Sequence, residues 1–253
     1  MFHVKIFKMK RTFLTFIAAA LICAAPSLAQ TTNIVEKAKY FLAVEEMPDA
    51  SRFLPDPPGF GDDAFLLDSC VYEAGKRLRD TDRGRLAVED ANTSIEYILR
   101  RFSPALGAEL TTEEFPLLAS FIYRTCATAR LSITYAKDKF HRMRPYQYFD
   151  EPTPVPGDES KDDFTSYPSG HTIRFWTAAL ALTAIDPEHQ DEILRIGYEC
   201  GQSRTIVGFH YQSDIEAARH AASAAYARLS ADRQWLKTLK KARREFQRKK
   251  AGR

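Results

Sequence analysis

Tyr167-Pro168-Ser169-Gly170-His171-Thr172 leads into the apolar run Phe175 to Ile185, and the reading of that junction decides the fold. A rigid proline, two small residues and a sustained apolar run mark a helix start, with Ser169 in the N-cap position. A turn of this composition presents backbone N–H groups at a helix N-terminus, where the helix dipole favours an anion. Gly170 removes the side chain that would hold a ligand away from that backbone. By itself the tetrapeptide Pro168 to His171 fits an ordinary capping turn, with His171 incidental, better than a binding site.

Outward from that junction the pattern is helical in both directions. Thr31 to Glu46 reads as a short helix stopped by Pro48, and Leu54 to Gly61, with three prolines, as an extended loop. Asp62 or Asp63 caps a helix through Leu66, Leu67, Val71 and Leu78, and Asp82 to Arg101 follows with Leu86, Ile95, Ile98 and Leu99 as its core face. Thr111 and Glu114 have capping-box spacing and open a long helix, Glu113 to about His141, with Leu117, Phe121, Cys126 and Ile133 turned inward. Pro145 ends that helix, because the residue before a proline is pushed out of the α region. Tyr146 to Ser166 is a polar loop long enough to serve as a rim. Asp186-Pro187 opens a helix over Glu188 to Thr205; Gln212 to Leu229 and Ala231 to Lys249 complete the set. There is almost no alternating apolar pattern, no internal repeat and no Gly-rich phosphate loop, so the expected fold class is all-α.

With 253 residues, 45% of them hydrophobic, the chain suffices for one large domain or two small ones and is not of a disordered composition. Lys5, Lys8, Lys10 and Arg11, the apolar run Phe13 to Ala25 and the small residues Ser27 and Ala29 predict a secretory signal peptide over residues 1–29, cut before Gln30. A retained membrane anchor is disfavoured, since the run is too short to span a bilayer and no later run is longer. Ile22 before Cys23 argues against lipidation there. Residues 30–253 are then a single all-α domain in the periplasm or outside the cell. Removing the four basic residues of the signal leaves 32 of the 36 Lys and Arg against 33 Asp and Glu. Lys237 to Arg253 holds nine of those bases and one Glu, and reads as the solvated face of a last helix rather than a nucleic-acid or lipid surface. Cys70, Cys126 and Cys200 show no metal-ligand spacing; one disulfide is compatible with export, and the three read as mostly buried apolar residues.

Two further segments change the reading of Pro168 to His171. Lys137 and Arg144 lie seven residues apart, nearly two helical turns, so both point to one side. An Arg forks onto phosphate oxygens and a Lys supplies a point charge. Lys139 and Arg142 between them read as bases serving the helix dipole. Downstream, His210 and Asp214 follow Ser203-Arg204 with i,i+4 spacing. A carboxylate on one ring nitrogen fixes the tautomer and turns the other lone pair outward, as a nucleophilic or basic His needs; a surface ion pair has the same spacing.

Taken in order, Lys-x6-Arg-Pro, Pro-Ser-Gly-His and Ser-Arg-x5-His-x3-Asp resemble the signature of the type 2 phosphatidic acid phosphatase superfamily. Ser166 to Thr172, Arg83 to Asn92 and Gly197 to Arg219 resemble its bacterial class A non-specific acid phosphatases. Thr165 departs from that pattern, where Gly is usual, and the rim loop lacks the cysteine of some relatives. The resemblance implies a compact helical bundle of the acid phosphatase and vanadium haloperoxidase type. It also implies a secreted, metal-independent acid phosphatase acting on a broad range of phosphomonoesters through a phosphohistidine, with no cofactor. In that reading His210 is the nucleophile, Asp214 orients it, and His171 protonates the leaving alcohol and then activates water. Lys137, Arg144, Ser169, Gly170 and Arg204 hold the phosphate, and a homodimer or higher homo-oligomer is implied. Small phosphomonoesters are the expected partners; nucleic acid and stable membrane anchoring are not. The balance between hydrolysis and transfer to other alcohols stays open, as does an aromatic rim from Phe53, Phe60, Phe164 and Tyr167. The alternatives are a vanadate-dependent haloperoxidase-like enzyme and a phosphate-binding protein without turnover.

Overall fold

The computed structural model describes residues 39–252; the expected signal peptide, Cys23 and the start of the helix expected from Thr31 lie outside them. In chain order the α-helices are α1 (Ala50–Phe53), α2 (Asp63–Lys76), α3 (Asp82–Glu89), α4 (Ile95–Leu106), α5 (Pro116–Arg130), α6 (Thr134–Phe140), α7 (Pro145–Tyr148), α8 (Gly170–Ile185), α9 (Gln190–Ile206), α10 (Gln212–Ser230) and α11 (Arg233–Ala251), and no strand occurs among the described residues. The fold class is all-α. None of these helices is long and apolar enough to cross a membrane.

The run behind Ser169 becomes the central helix. Ile173, Phe175, Ala178, Ala179, Leu182 and Ile185 of α8 are buried, and α5, α9 and α10 pack around it. Two neighbours meet it through small residues, which let helices approach closely. α10 offers Ala217, Ala218, Ala221, Ala222 and Ala225, all buried. On α9, a Cβ at Gly197 would stand 2.5 Å from that of Ala179, so only glycine lets α8 and α9 come this near. α11 packs on α5 through Trp235, Ala242 and Phe246 while Lys237, Lys240, Lys241, Arg244 and Arg248 face solvent. Its one acid, Glu245, is buried and accepts from the N–H groups of Leu117 and Leu118 at 3.0 and 2.9 Å. A carboxylate from another helix thus caps α5, whose own N-cap, Phe115, has no capping side chain.

Several expected elements differ in extent or face. The helix expected from Glu113 to His141 begins at Pro116, turns 3-10 over Leu131–Ile133 and ends at Phe140, with His141 left-handed at φ 42°. Pro145 therefore does not terminate it; it is the first residue of α7, and Arg144 before it is extended. Asp82 to Arg101 is two helices, because Asn92 accepts from Ser94 N and Ser94 caps Tyr97 N. On α2 the buried face is Phe65, Asp68 and Tyr72, while Leu66 and Leu67 are exposed; Leu117 on α5 is exposed as well. Cys126 and Cys200 are buried and free, whereas Cys70 is free and exposed.

Candidate active site

Every predicted site residue lies around the N-terminus of α8. Ser169 caps that helix, its hydroxyl accepting from Thr172 N at 3.2 Å. The first-turn N–H groups of Gly170 and His171 have no intrahelical acceptor. Ser169 N donates to Asp214 O at 3.1 Å, tying the α8 turn to the start of α10. Between α9 and α10 the chain reverses at Gly208, where φ is +78° and a Cβ would stand 2.6 Å from Arg79 Nη2. That turn folds the N–H groups of Phe209 and His210 back onto Arg204 O and delivers His210 to the site.

A cavity of about 340 Å³ is lined by Lys137, Arg144, Gly170, His171 and His210, together with Thr93, Arg130, Thr165 and Arg174. No carboxylate lines it. Asp214 and Arg204 stand behind its wall, and Ser169 is buried as the cap.

His210 sits between a cation and a carboxylate, with its Nδ1 making no hydrogen bond. Nε2 lies 3.1 Å from Arg144 Nη1. A guanidinium only donates, so Nε2 carries the lone pair and Nδ1 the proton. Nδ1 faces Asp214 Oδ2 at 3.4 Å. Burial, then Arg144, push the His210 pKa down to about 3 against the pull of Asp214, so the imidazole is neutral. Asp214 accepts from Ser166 Oγ at 2.6 Å, Tyr211 N at 2.9 Å and Arg142 Nη1 at 2.6 Å. Burial works to raise its pKa, but His210 and Arg142 outweigh that and hold it below the ordinary carboxylate range. Arg142 also pairs with Asp68 at 2.9 Å, and Asp68 takes both Ser213 N and Ser213 Oγ.

His171 stands on the opposite wall. Nε2 lies 3.0 Å from Ala91 O. A carbonyl only accepts, so Nε2 carries the proton and Nδ1 is left to exchange one with a ligand. Burial, then the charge of Arg204, push its pKa well below the ordinary value. Ala91 belongs to the break between α3 and α4, held by buried Asp90, which accepts from Tyr97, Arg101 and Ser203.

The cations are under strain of charge. Lys137 donates to Thr165 O; burial, then Arg144, bring its pKa down to about 7. Arg144 donates to Asp163 at 2.7 Å, Phe209 O at 3.0 Å and Thr165 Oγ1 at 3.2 Å. Against the cost of burial, Thr165 and Arg144 hold Asp163 down at about 2. Arg204 is buried with Nε and Nη1 unpartnered, and burial, then Arg144, lower its pKa. An anion in the cavity would meet Lys137 and Arg144 directly and the charge of Arg204 from behind the wall.

Lys137 and Arg144 do meet, though not on one helix: the chain leaves α6 between them. Arg142, expected to serve a helix dipole, is instead the buried clamp on Asp214; nothing in its spacing pointed to Asp68, 74 residues away. Lys139 donates to Ser51 O. Asp163, a loop residue with no periodicity, carries no signal in the sequence; Thr165 and Ser166 stand there as motif text without the roles the structure gives them. The aromatic rim is not at the cavity. Phe60 stacks on Tyr148, Phe164 on His141, and Tyr167 is buried against Phe140. Among the described residues no group of three or more His, Cys, Asp or Glu is arranged to hold a metal.

A family model described as PAP2 superfamily matches residues 115–236. A non-specific acid phosphatase of Providencia stuartii is 38% identical over 233 residues, covering 91% of this chain and 93% of that protein. One of Salmonella typhi is 37% identical over 210 residues, 81% of this chain and 83% of that protein. One of Salmonella typhimurium is 34% identical over 228 residues, 89% and 91% respectively.

Proposed function

The chain belongs to the PAP2 superfamily, and from that premise we propose that it is an acid phosphatase working through a phosphohistidine on His210. The observation that carries this reading is the buried His210, whose cavity-facing Nε2 bears a lone pair between Arg144 and the Asp214 side of the ring. In phosphoryl transfer the protein's task is chiefly positioning and charge stabilisation. Lys137, Arg144 and Arg204, with the first N–H groups of α8, supply the positive potential for the equatorial oxygens.

When a phosphomonoester binds, its oxygens take the N–H groups of Arg144, which frees Nε2. Nε2 attacks phosphorus, the bond from phosphorus to the alcohol oxygen breaks, and His171 gives that oxygen its proton. Asp214 balances the charge that develops on the His210 ring. Water then attacks phosphorus, passing a proton to His171, and the P–N bond breaks to release orthophosphate. An alcohol in the place of water takes the phosphoryl group instead. His171 must begin protonated, and its lowered pKa makes that form scarcer as pH rises, so an acidic optimum is expected. Residues 1–29 support export, which N-terminal sequencing of the mature protein checks at Gln30. Assembly into a homodimer or higher oligomer rests on family likeness and is read by light scattering.

The test is a rapid quench with labelled phosphomonoester. Label that survives base and is lost in acid, absent from His210→Ala, supports the phosphohistidine. Acid-stable label on a serine, or strong inhibition by EDTA reversed by added metal, sinks it.

A further inference from the structure

We propose that Arg130, Arg174 and Thr93 form a second anion subsite on the leaving-group side of the phosphate site, favouring phosphomonoesters whose alcohol carries a further acidic group. The inference rests on the acid phosphatase reading above.

The cavity is lined by four bases, Arg130, Lys137, Arg144 and Arg174, and by no acid. Lys137 and Arg144 are occupied by Thr165 and Asp163, and Arg144 stands against His210, the proposed nucleophile. The other two serve nothing in that scheme. Arg130 has no ion pair or side-chain hydrogen bond among the described residues. Arg174 has no ion pair; its Nη1 donates to Thr93 Oγ1 at 2.6 Å. Burial, then Arg130, lower the pKa of Arg174, so the two guanidinium groups press on each other with no carboxylate between them. An anion held by both would relieve that repulsion. Having accepted from Arg174, the Thr93 hydroxyl keeps its own proton to donate.

Position assigns this pair to the alcohol. Arg174 follows His171 by three residues on α8, so the two share a face of the helix. Thr93 sits two residues after Ala91, whose carbonyl holds His171. Arg130 Nε and Lys137 Cε flank the place a Cβ on Gly170 would take, at 3.6 and 3.8 Å. The bare Gly170 backbone is thus a floor shared by both sets of cations. A group bound by Arg130 and Arg174 would lie beside the imidazole that protonates the departing oxygen, which makes it part of the alcohol.

The experiment compares kcat/KM within matched pairs: 3-phosphoglycerate against glycerol 3-phosphate, and fructose 1,6-bisphosphate against fructose 6-phosphate, with p-nitrophenyl phosphate as reference. The charged member of at least one pair should be preferred by about tenfold, the worth of a charge-assisted hydrogen bond. Arg130→Gln and Arg174→Gln should each remove most of that preference and leave p-nitrophenyl phosphate within about twofold. A preference confined to the bisphosphate, or to the carboxylate, supports the subsite and names its anion. Equal kcat/KM within both pairs overturns it. So does an equal loss on every substrate in both variants, which would make the arginines general attractors of phosphate. Arg130 is exposed, so its substitution keeps the test valid if Arg174→Gln folds poorly. Failure to hydrolyse any of these esters would remove the phosphatase reading instead.

Discussion

His210 and His171 face one cavity from opposite walls, and the walls are built differently. Behind His210 stand Asp214, Arg142, Asp68, Ser166 and Ser213, joined to one another by short bonds and largely buried. Beside His171 there is one backbone carbonyl, a loop and two arginines without an acid. The first wall must hold one nitrogen in one tautomer before any substrate arrives. The second fixes His171 through the loop that Asp90 holds and otherwise meets an alcohol whose shape changes from substrate to substrate. The contrast is one between a fixed reaction centre and a receptive side.

The strongest attack on that contrast is Asp214→Asn. If the wall behind His210 exists to set the tautomer, kcat should fall on the order of 10⁴-fold with the fold intact; a loss below about tenfold in single-turnover kinetics would deny Asp214 that role. Next in size is His171→Ala, expected to cost about 10²–10⁴-fold on alkyl phosphates. The loss should be much smaller on p-nitrophenyl phosphate, whose leaving group needs no proton. Equal losses on the two would show that His171 is not the acid. Arg142→Gln leaves Asp214 and Asp68 buried without their cation and should lower unfolding stability by about 3 kcal/mol, read by urea denaturation. The smallest effect is on pH dependence. His210 and His171 have folded pKa values below the ordinary 6.5. Their contribution to stability is therefore complete above that pH and lost as pH falls below it, because the unfolded chain takes up protons the folded one refuses. Tm of the ligand-free enzyme should fall as pH is lowered from about 6.5 to about 4, and added phosphate should oppose the fall. A Tm that rises on acidification would contradict the lowered pKa values of the two imidazoles.

The receptive wall was the less legible one in the sequence. Periodicity located α8, α9, α10 and α11 to within a few residues, since each buries a continuous apolar stripe. It misread α2, whose inward face carries Asp68 for Arg142 and so leaves Leu66 and Leu67 outside. It ran α3 into α4, although Asn92-Thr93-Ser94 holds the capping residues that part them. That break supplies both Ala91 O and Thr93. The motif residues could be named because their chemistry is local to short segments. Their partners could not, because Arg142, Asp163 and Arg174 acquire meaning only from residues that folding brings beside them.

Asp163 carries a consequence for every binding measurement made on this protein. Its carboxylate rests on Arg144 Nε at 2.7 Å, just outside the residues that line the cavity. A phosphate in the cavity meets a guanidinium whose charge is already partly spent on an internal acid, so the affinity observed is set against that fixed negative neighbour.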